Sequence, residues 1–266
     1  MYRSRLGALL LALPLFATAF GQAAAPQFAL IDLGPTTIAG SGLPWQPRQS
    51  TPAPSSWPST GGNACSANYI YVEYGSVAVG STCQAGMAEH AAEWTNSAGT
   101  ITLTDLGVLP GAISGTVGGP DSEAWDFNNV GDIVGGSYSS SGSYNPPYVA
   151  QHAFLYNSGR MTDLGVIAGP NYNSLAEAVN DSHEIVGATN TLSSANGSVL
   201  SRAFLYTNGT MYNLTFYLVG GPTVLLSDAY WIDCQGNIAA VGTPASGGNT
   251  HSYLLVRQGA ARACQN

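Results

Sequence analysis

Three histidines and one arginine stand at the same position of four similar segments. These segments are HAAEW at 90–94, HAFLY at 152–156, RAFLY at 202–206 and HSYLLV at 251–256. Their first residues are His90, His152, Arg202 and His251. If the first strand of each unit is the innermost one, as we expect, these side chains surround the mouth of a central channel. There they would suit an anion or a metal ion. We favour a structural role in which each bonds a neighbouring unit, because metal-binding imidazoles need oriented partners that the sequence does not identify.

Aspartates recur at a second position, inside the tripeptide DLG. Asp32, Asp105 and Asp163 each precede Leu and Gly. A catalytic carboxylate pair must lie at a defined separation, whereas residues at equivalent repeat positions fall in different units. We therefore expect these carboxylates to accept hydrogen bonds from backbone amides in turns.

The segment DFNNVGD at 126–132 partly resembles a calcium-binding loop. Asp126, Asn128 and Asp132 supply oxygen atoms, and Gly131 stands at the sixth position. Val130 occupies a ligand position, however, and no Glu stands at the twelfth. We interpret the segment as a turn and expect no metal or other cofactor.

Aromatic residues are concentrated in the segments between the predicted strands. Trp45 and Trp57 lie in a Pro-rich insertion at 35–64, and further tyrosines lie in neighbouring loops. These tyrosines are Tyr138, Tyr144, Tyr148 and Tyr172. Exposed rings of this kind suit stacking on sugars or packing on another protein, although they would equally cover the ends of sheets.

No local motif identifies an enzyme. The sequence lacks a nucleophile elbow, a zinc-protease helix, a P-loop and a dinucleotide fingerprint. A site assembled from several strands leaves no such motif. For a hydrolase or lyase acting on extracellular polysaccharide, the best candidates are Asp121, Glu123 and His183.

A repeat in the amino-acid sequence sets the spacing of these residues. Its closing glycines, separated by 55, 52 and 55 residues, are Gly80, Gly135, Gly187 and Gly242. One unit contains four short stretches rich in β-branched and aromatic residues, which we name a, b, c and d: Ala153–Tyr156, Met161–Leu164, Ala176–Asn180 and Glu184–Ala188. Repeated four-stranded meanders are typical of propeller blades.

The two ends of the chain complement each other. FALIDLG at 28–34 matches strand b, and the segment at 251–256 matches strand a. The sequence therefore predicts a closed all-β four-bladed propeller of four-stranded antiparallel meanders, with the C-terminal strand completing the first blade; a β-sandwich or an open barrel is the alternative. The predicted blades are 28–83 plus 251–256, 90–137, 152–189 and 202–243.

Loop lengths predict where a site and two disulfides lie. The a–b and c–d turns are tight, whereas the b–c and d–a connections are long, so one face carries the elaborate loops and should hold any site. Cys65 and Cys83 fall on this long-loop face, and Cys234 and Cys264 fall on the other. We expect the pairs Cys65–Cys83 and Cys234–Cys264 rather than a zinc site, because no ligand-type spacing is present.

The N-terminus has the features of an export signal. Arg3 and Arg5 precede an apolar run at 6–20, so we predict a signal peptide at 1–23 and a single propeller domain at 24–266. The run is too short to span a bilayer, and no second one follows. The predicted product is secreted to the periplasm or beyond.

The composition disfavours several partners. The net charge is −8, only 8% of residues are charged, and lysine is absent. Such a surface offers little to phosphates, so we expect no nucleic-acid partner. We also expect no membrane span and a monomeric protein.

The units HAFLY, MTDLG and AVNDSHEIVG resemble the bacterial extracellular repeat that is named after its HAF tripeptide. The similarity covers roughly residues 90–256, with a degenerate copy at 28–80. This resemblance implies an extracellular repeat protein but no particular activity. Our leading hypothesis is a secreted, non-enzymatic protein whose long-loop face binds a glycan or a protein. A polysaccharide hydrolase or lyase and a structural surface protein are the alternatives.

The insertion at 35–64 can be tested directly. If its tryptophans bind the ligand, the double variant Trp45→Ala, Trp57→Ala loses binding in a glycan-array and pull-down screen. Retained binding would contradict this role and direct the search to the channel.

Overall fold

The computed structural model describes residues 25–35, 51–52, 69–83, 88–112, 121–142, 149–193, 196–260 and 264. Within these ranges the chain forms β-strands and one short 3-10 helix at Leu214–Tyr217. The first strand is β1 (Phe28–Pro35). Sheet 1 contains β2 (Thr51–Pro52), β3 (Tyr69–Tyr74), β4 (Val77–Cys83), β5 (Glu89–Ser97) and β6 (Thr100–Gly107). Sheet 2 contains β7 (Ser122–Phe127), β8 (Ile133–Gly142), β9 (Val149–Asn157) and β10 (Arg160–Gly165).

The remaining strands form two more sheets. Sheet 3 contains β11 (Ser174–Val179), β12 (Ile185–Leu192), β13 (Val199–Thr207) and β14 (Thr210–Asn213). Sheet 4 contains β15 (Val224–Ile232), β16 (Ile238–Pro244) and β17 (His251–Arg257), to which the N-terminal strand β1 is added. All neighbouring strands are antiparallel, and the pairing of β1 with β17 was predicted from the complementary ends of the chain. The predicted all-β fold is confirmed, and its four antiparallel sheets, each containing one four-stranded meander, have the arrangement of a four-bladed propeller. In sheet 1 the two-residue strand β2 is added beside β3. The predicted closure of the ring is not shown by the described residues.

The structure divides the repeats differently from the predicted blades. Each sheet has the order c–d–a–b, so the b–c connections link sheets and the d–a connections are hairpins within a sheet. The predicted blades 90–137, 152–189 and 202–243 therefore each span two sheets. The d–a segments at 136–151 and 188–201, predicted as long connections, are largely the extended ends of paired strands.

The inner strand of each sheet is c, and the expectation that strand a surrounds the channel is wrong. β7 contacts both β3 and β11, and β11 also contacts β15, so the c strands meet along the axis. In every sheet strand d lies between strand a and strand c. Extensive contacts join sheets 1 and 2, 2 and 3, and 3 and 4, whereas the described residues make no comparable contact between sheets 4 and 1.

The periodic glycines are explained by a bulge in each inner strand. The register of strand c shifts next to Ile70, Ala124, Ala176 and Leu226, which pair with Gly80, Gly135, Gly187 and Gly242. A Cβ atom on Gly135 would lie 1.9 Å from the Glu123 carbonyl oxygen, and one on Gly187 would lie 2.0 Å from that of Leu175. Because glycine has no Cβ atom, it alone lets the carbonyl oxygen of strand c come this close to strand d.

Apolar layers fill the three extensive junctions. Phe154 belongs to the cluster between sheets 1 and 2, Phe204 to that between sheets 2 and 3, and Phe28 to that between sheets 3 and 4. All three phenylalanine side chains are buried. A smaller cluster on sheet 1 surrounds the buried Trp94.

Hydroxyl groups fasten the junctions at the long-loop end. The Ser122 hydroxyl donates to the Gly107 carbonyl at 2.6 Å and accepts from the Ala91 amide at 2.8 Å, which joins sheet 2 to sheet 1. Ser174 repeats both bonds between sheets 3 and 2. At the third junction, Thr215 Oγ1 accepts from the Leu226 amide at 3.1 Å.

Asparagine amides fasten the junctions at the tight-turn end. Asn128 Nδ2 donates to the Asn180 carbonyl, and Asn180 Nδ2 donates to the Asp233 carbonyl, both at 2.9 Å. Asp233 has no amide with which to continue the series, and the equivalent residue of sheet 1 is Tyr74. The hydrogen-bond series thus ends at the junction that lacks extensive contacts.

One predicted disulfide is confirmed. Cys234 and Cys264 are bonded, with their Cα atoms 5.3 Å apart. Cys83 is also disulfide-bonded. Cys65 lies outside the described residues, so the Cys65–Cys83 pairing stays a prediction.

The bulge contact predicts a large effect of one methyl group. We expect Gly187→Ala to lower the free energy of unfolding by about 3 kcal/mol, because the added carbon overlaps a backbone oxygen that cannot move alone. Gly209→Ala is the control, since that turn glycine has space around it and a φ of +76°; it should cost about 1 kcal/mol. Urea denaturation measures both, and equal losses would contradict the steric explanation.

Candidate functional site

A cleft of about 520 Å³ opens at the tight-turn end of the sheets, where the inner strands β3, β7 and β11 meet. This end is opposite to the long-loop face on which the site was expected. Its aromatic lining residues are Tyr71, Tyr74 and Phe127. Its acidic lining residues are Glu73, Asp126 and Asp181. Glu73 and Tyr74 are exposed, whereas Asp126 accepts from the Val179 amide at 3.0 Å and Asp181 from Asn129 at 2.9 Å. The cleft therefore combines one exposed ring, that of Tyr74, and two partly buried rings with carboxylates, two of which are held by the fold.

Tyr71 connects this cleft to the long-loop end of the axis. Its ring stacks on that of Trp125, with centroids 5.1 Å apart and planes 11° apart. The two side chains come from the inner strands of adjacent sheets, so the stack crosses the junction between sheets 1 and 2. Burial and the neighbouring carboxylates Glu123 and Glu89 raise the pKa of Tyr71 above its ordinary value, so the hydroxyl stays protonated.

Three carboxylates surround the stack at the long-loop end. The Glu89 amide donates to Asp121 at 2.9 Å, and the Ser81 hydroxyl donates to the Glu89 carboxylate. Burial raises the pKa of Glu123, as does Glu89, and the effect exceeds the opposing one of Tyr71 and Trp125. Burial also raises the pKa of Asp121. The site therefore holds carboxyl groups that ionise less readily than ordinary ones.

The predicted enzymatic candidates are only partly brought together. Asp121 and Glu123 share the cluster, and both raise the pKa of Tyr138, after the larger effect of burial. The Tyr138 amide also donates to the Asp121 carbonyl at 2.8 Å. His183 lies at the opposite end of the sheets, where its Nδ1 atom is 2.5 Å from Asp132. Asp121 and Glu123 can therefore belong to one site, whereas His183 belongs to another part of the structure.

A second acidic and aromatic group lies on the inner strands of sheets 3 and 4. Burial raises the pKa of Asp228 to about 6. Burial, Asp228 and Glu177 raise the pKa of Tyr230. The pairing of tyrosine with carboxyl groups on inner strands thus occurs at two junctions.

The repeated histidines bond the repeated aspartates of their own sheets. The Nδ1–carboxylate distances are 3.0 Å for His90–Asp105, 2.8 Å for His152–Asp163 and 2.8 Å for His251–Asp32. Each aspartate also accepts from the amide of the following glycine, as predicted. His152 is buried, and its Nε2 atom is 2.9 Å from the Pro170 carbonyl. These pairs connect strands a and b and lie away from the inner strands.

The fourth member of the histidine series differs. Arg202 stands at this position in sheet 3, and Asn213 replaces the aspartate. The Arg202 guanidinium donates to the Ser201 carbonyl at 2.7 Å. The structure thus places His90, His152, Arg202 and His251 at equivalent positions but not around a common ligand.

The segment at 126–132, which partly resembles a calcium-binding loop, forms a turn. Asn128 Oδ1 accepts from the amides of Val130 and Asp132, and Asn128 Nδ2 donates to Asp132. In the part of the chain that the structure describes, no three acidic, histidine or cysteine residues are grouped to hold a metal ion. Nor do the described residues include a helix long and apolar enough to cross a membrane.

Several predicted aromatic residues cannot be placed beside the cleft. Trp45, Trp57, Tyr144 and Tyr148 lie outside the described residues. Tyr172 is half-buried in the connection between sheets 2 and 3, where its amide donates to the Gly169 carbonyl at 3.1 Å.

Sequence reasoning missed the aromatic residues of the cleft and of the stack beside it. Tyr71 and Phe127, which line the cleft, and Trp125, which stacks on Tyr71, were overlooked because strand a was expected to be innermost. A usable signal was present: aromatic and acidic side chains alternate in YIYVEY at 69–74 and SEAWDF at 122–127.

No protein-family model matches the chain, and neither a curated protein nor a solved structure does.

The histidine–aspartate pairs predict a pH-dependent contribution to stability. Burial raises the pKa of Asp163, but the bonds from His152 and the Gly165 amide outweigh it, so the pKa lies below the ordinary 3.8. The ionised carboxylate therefore stabilises the fold above about pH 3.8, and this stabilisation is lost as the pH falls through the lowered pKa. Asp163→Asn should lower Tm at pH 7 and reduce the difference in Tm between pH 7 and pH 3. Glu73→Gln controls for the loss of one negative charge, and an unchanged difference in Asp163→Asn would contradict the assignment.

Proposed function

We propose that this chain is an exported, non-enzymatic binding protein that takes a neutral or amino-sugar-containing glycan in the axial cleft. The observation that carries the proposal is the Tyr71–Trp125 stack, which joins an open cleft to a cluster of carboxyl groups. Sugar rings offer apolar faces and hydroxyl edges. Aromatic faces suit the former, and carboxylates accept hydrogen bonds from the latter.

The size and lining of the cleft support a small ligand or one end of a chain. Its volume of about 520 Å³ lies in the range of small-molecule sites. Tyr74 is 75% exposed, so its ring is available for contact without loss of core packing. Phe127 adds a second, partly buried ring.

Charge favours neutral or cationic sugars over acidic ones. The chain has a net charge of −8, and no basic side chain lines the cleft among the described residues. Uronic acids and sulfated sugars would be repelled by Glu73 and Asp181. An amino sugar would instead gain an attraction.

Export is supported by the disulfide and by the N-terminal sequence. The Cys234–Cys264 bond fits an oxidising compartment. The predicted signal peptide at 1–23, the HAF-repeat resemblance and the monomeric state are parts of the same proposal. Trp45 and Trp57 remain candidates for a further binding surface on the long-loop face.

A polysaccharide hydrolase or lyase is the second candidate, because of Glu123. Burial and Glu89 favour the protonated form of this carboxyl group, and the Tyr71 hydroxyl lies beside it. A carboxylic acid with a raised pKa keeps its proton to a higher pH than an ordinary one, which suits general acid catalysis. Release of new chain ends from a glycan, lost in Glu123→Gln, would favour this function over binding alone.

The glycan proposal predicts the effect of two exposed side chains. Against an array of neutral, amino and acidic glycans, the exported chain should bind members of the first two groups. Tyr74→Ala should weaken binding about tenfold by removing a stacking surface. Glu73→Gln should weaken amino sugars more than neutral ones, and titration calorimetry measures both.

The control is Ile31→Ala, which removes an exposed apolar side chain from the outer strand of sheet 4. It should bind as the wild type does. Binding that is unchanged in Tyr74→Ala and Glu73→Gln, or a preference for acidic glycans, would contradict the proposal.

A further inference from the structure

Sheet 3 departs from the repeat at the two positions that form the histidine–aspartate pair in the other sheets. In the other sheets a histidine of strand a bonds an aspartate of strand b. In sheet 3 these positions are Arg202 and Asn213. Sheet 3 thus has an arginine at the histidine position and a neutral amide at the aspartate position.

Arg202 lacks a carboxylate partner among the described residues. Within the described part of the chain, its guanidinium donates to the adjacent Ser201 carbonyl, at 2.7 Å, and to no other group. Arg202 is half-buried, and this desolvation lowers the pKa of its guanidinium. Removing a charge from water without pairing it is unfavourable, so an anion at this position would be stabilised.

The same sheet departs from the repeat in its following segment. Instead of the glycine turn, the chain enters the 3-10 helix at Leu214–Tyr217, which Asn213 caps by accepting from the Thr215 amide at 3.1 Å. The helix leaves Phe216 67% exposed and packs Tyr217 edge-on against Tyr212, with centroids 5.2 Å apart.

These departures border a groove of about 700 Å³. Apolar side chains that remain partly exposed form much of its lining: Ile167, Leu192, Phe216 and Leu225. Arg202 and Asn213 lie in the same lining, and Arg202 is the only charged residue among the described residues that form it. Exposed apolar surface gathered around one cation is unusual for a surface that binds nothing.

We propose that this groove binds a small monocarboxylate with an apolar or aromatic body. The planar guanidinium of Arg202 pairs with the carboxylate through two parallel hydrogen bonds. Asn213 Nδ2 is a further donor, since its Oδ1 is already used in the cap. The apolar body lies against Phe216 and its neighbours, which removes their surface from water.

The charge balance selects this class of ligand. A single guanidinium matches one negative charge, whereas a phosphate dianion would leave charge unpaired in a chain of net charge −8. A neutral apolar molecule would leave Arg202 desolvated and unpaired. The proposal is independent of the glycan site, which lies on the inner strands.

The probe pair 4-phenylbutyrate and 4-phenylbutyramide tests the charge requirement. Titration calorimetry on the exported chain at pH 7 should show binding of the carboxylate at least tenfold tighter than that of the amide. Arg202→Gln should reduce carboxylate affinity by at least tenfold. Arg160→Gln, at an exposed arginine of sheet 2, is the matched control and should leave binding unchanged.

A second variant restores the pattern of the other sheets. Arg202→His combined with Asn213→Asp rebuilds the histidine–aspartate pair, so the fold is kept while the unpaired cation is removed. Carboxylate binding should be lost although Tm is maintained. Equal binding of the two probes, retained affinity in Arg202→Gln or in the double variant, or no binding of the carboxylate would each overturn the proposal.

Discussion

The close approach of each bulged inner strand to a glycine of the next strand is the constraint on which the architecture depends. At Gly135 and Gly187 the carbonyl oxygen of strand c occupies the space that any side chain would need. The bulge increases local twist and lets the inner strands meet along an axis. One of these carbonyls belongs to Glu123, whose side chain lies in the candidate site. The same local geometry thus shapes the fold and places a carboxyl group beside the Tyr71–Trp125 stack.

Polar side chains at the two ends of the sheets reinforce the junctions between them. Ser122, Ser174 and Thr215 bridge three junctions at one end, and Asn128 and Asn180 bridge two of them at the other. Asp233 interrupts the asparagine series between sheets 4 and 1, and Tyr74 interrupts it between sheets 1 and 2. The cleft proposed to bind a glycan is lined by Tyr74 and so lies beside the second interruption. Function is therefore proposed where the repeat is broken, as it is again at Arg202, and the intact histidine–aspartate pairs serve structure.

Much of the architecture could be predicted from the residues. The glycine period, the complementary ends of the chain and the loop lengths led to four sheets that each contain a four-stranded meander, to the β1–β17 pair and to the Cys234–Cys264 bond. The blade boundaries and the inner strand could not be deduced in this way, because the order a–b–c–d along the chain does not state which strand begins a sheet. That error removed Tyr71, Trp125 and Phe127 from the predicted site and placed His90, His152 and His251 nearer to the axis than they are.

The sequence by itself determined the local structure: strands from β-branched and aromatic stretches, turns from glycine and asparagine, and the DLG carboxylates as acceptors for turn amides. These depend on neighbours along the chain. Only the tertiary structure decided which residues of different repeats share a site, because Tyr71 and Trp125 are 54 residues apart and meet through packing. It also decided that Arg202 has no carboxylate partner among the described residues, since a cation is paired or unpaired only by what the fold places beside it.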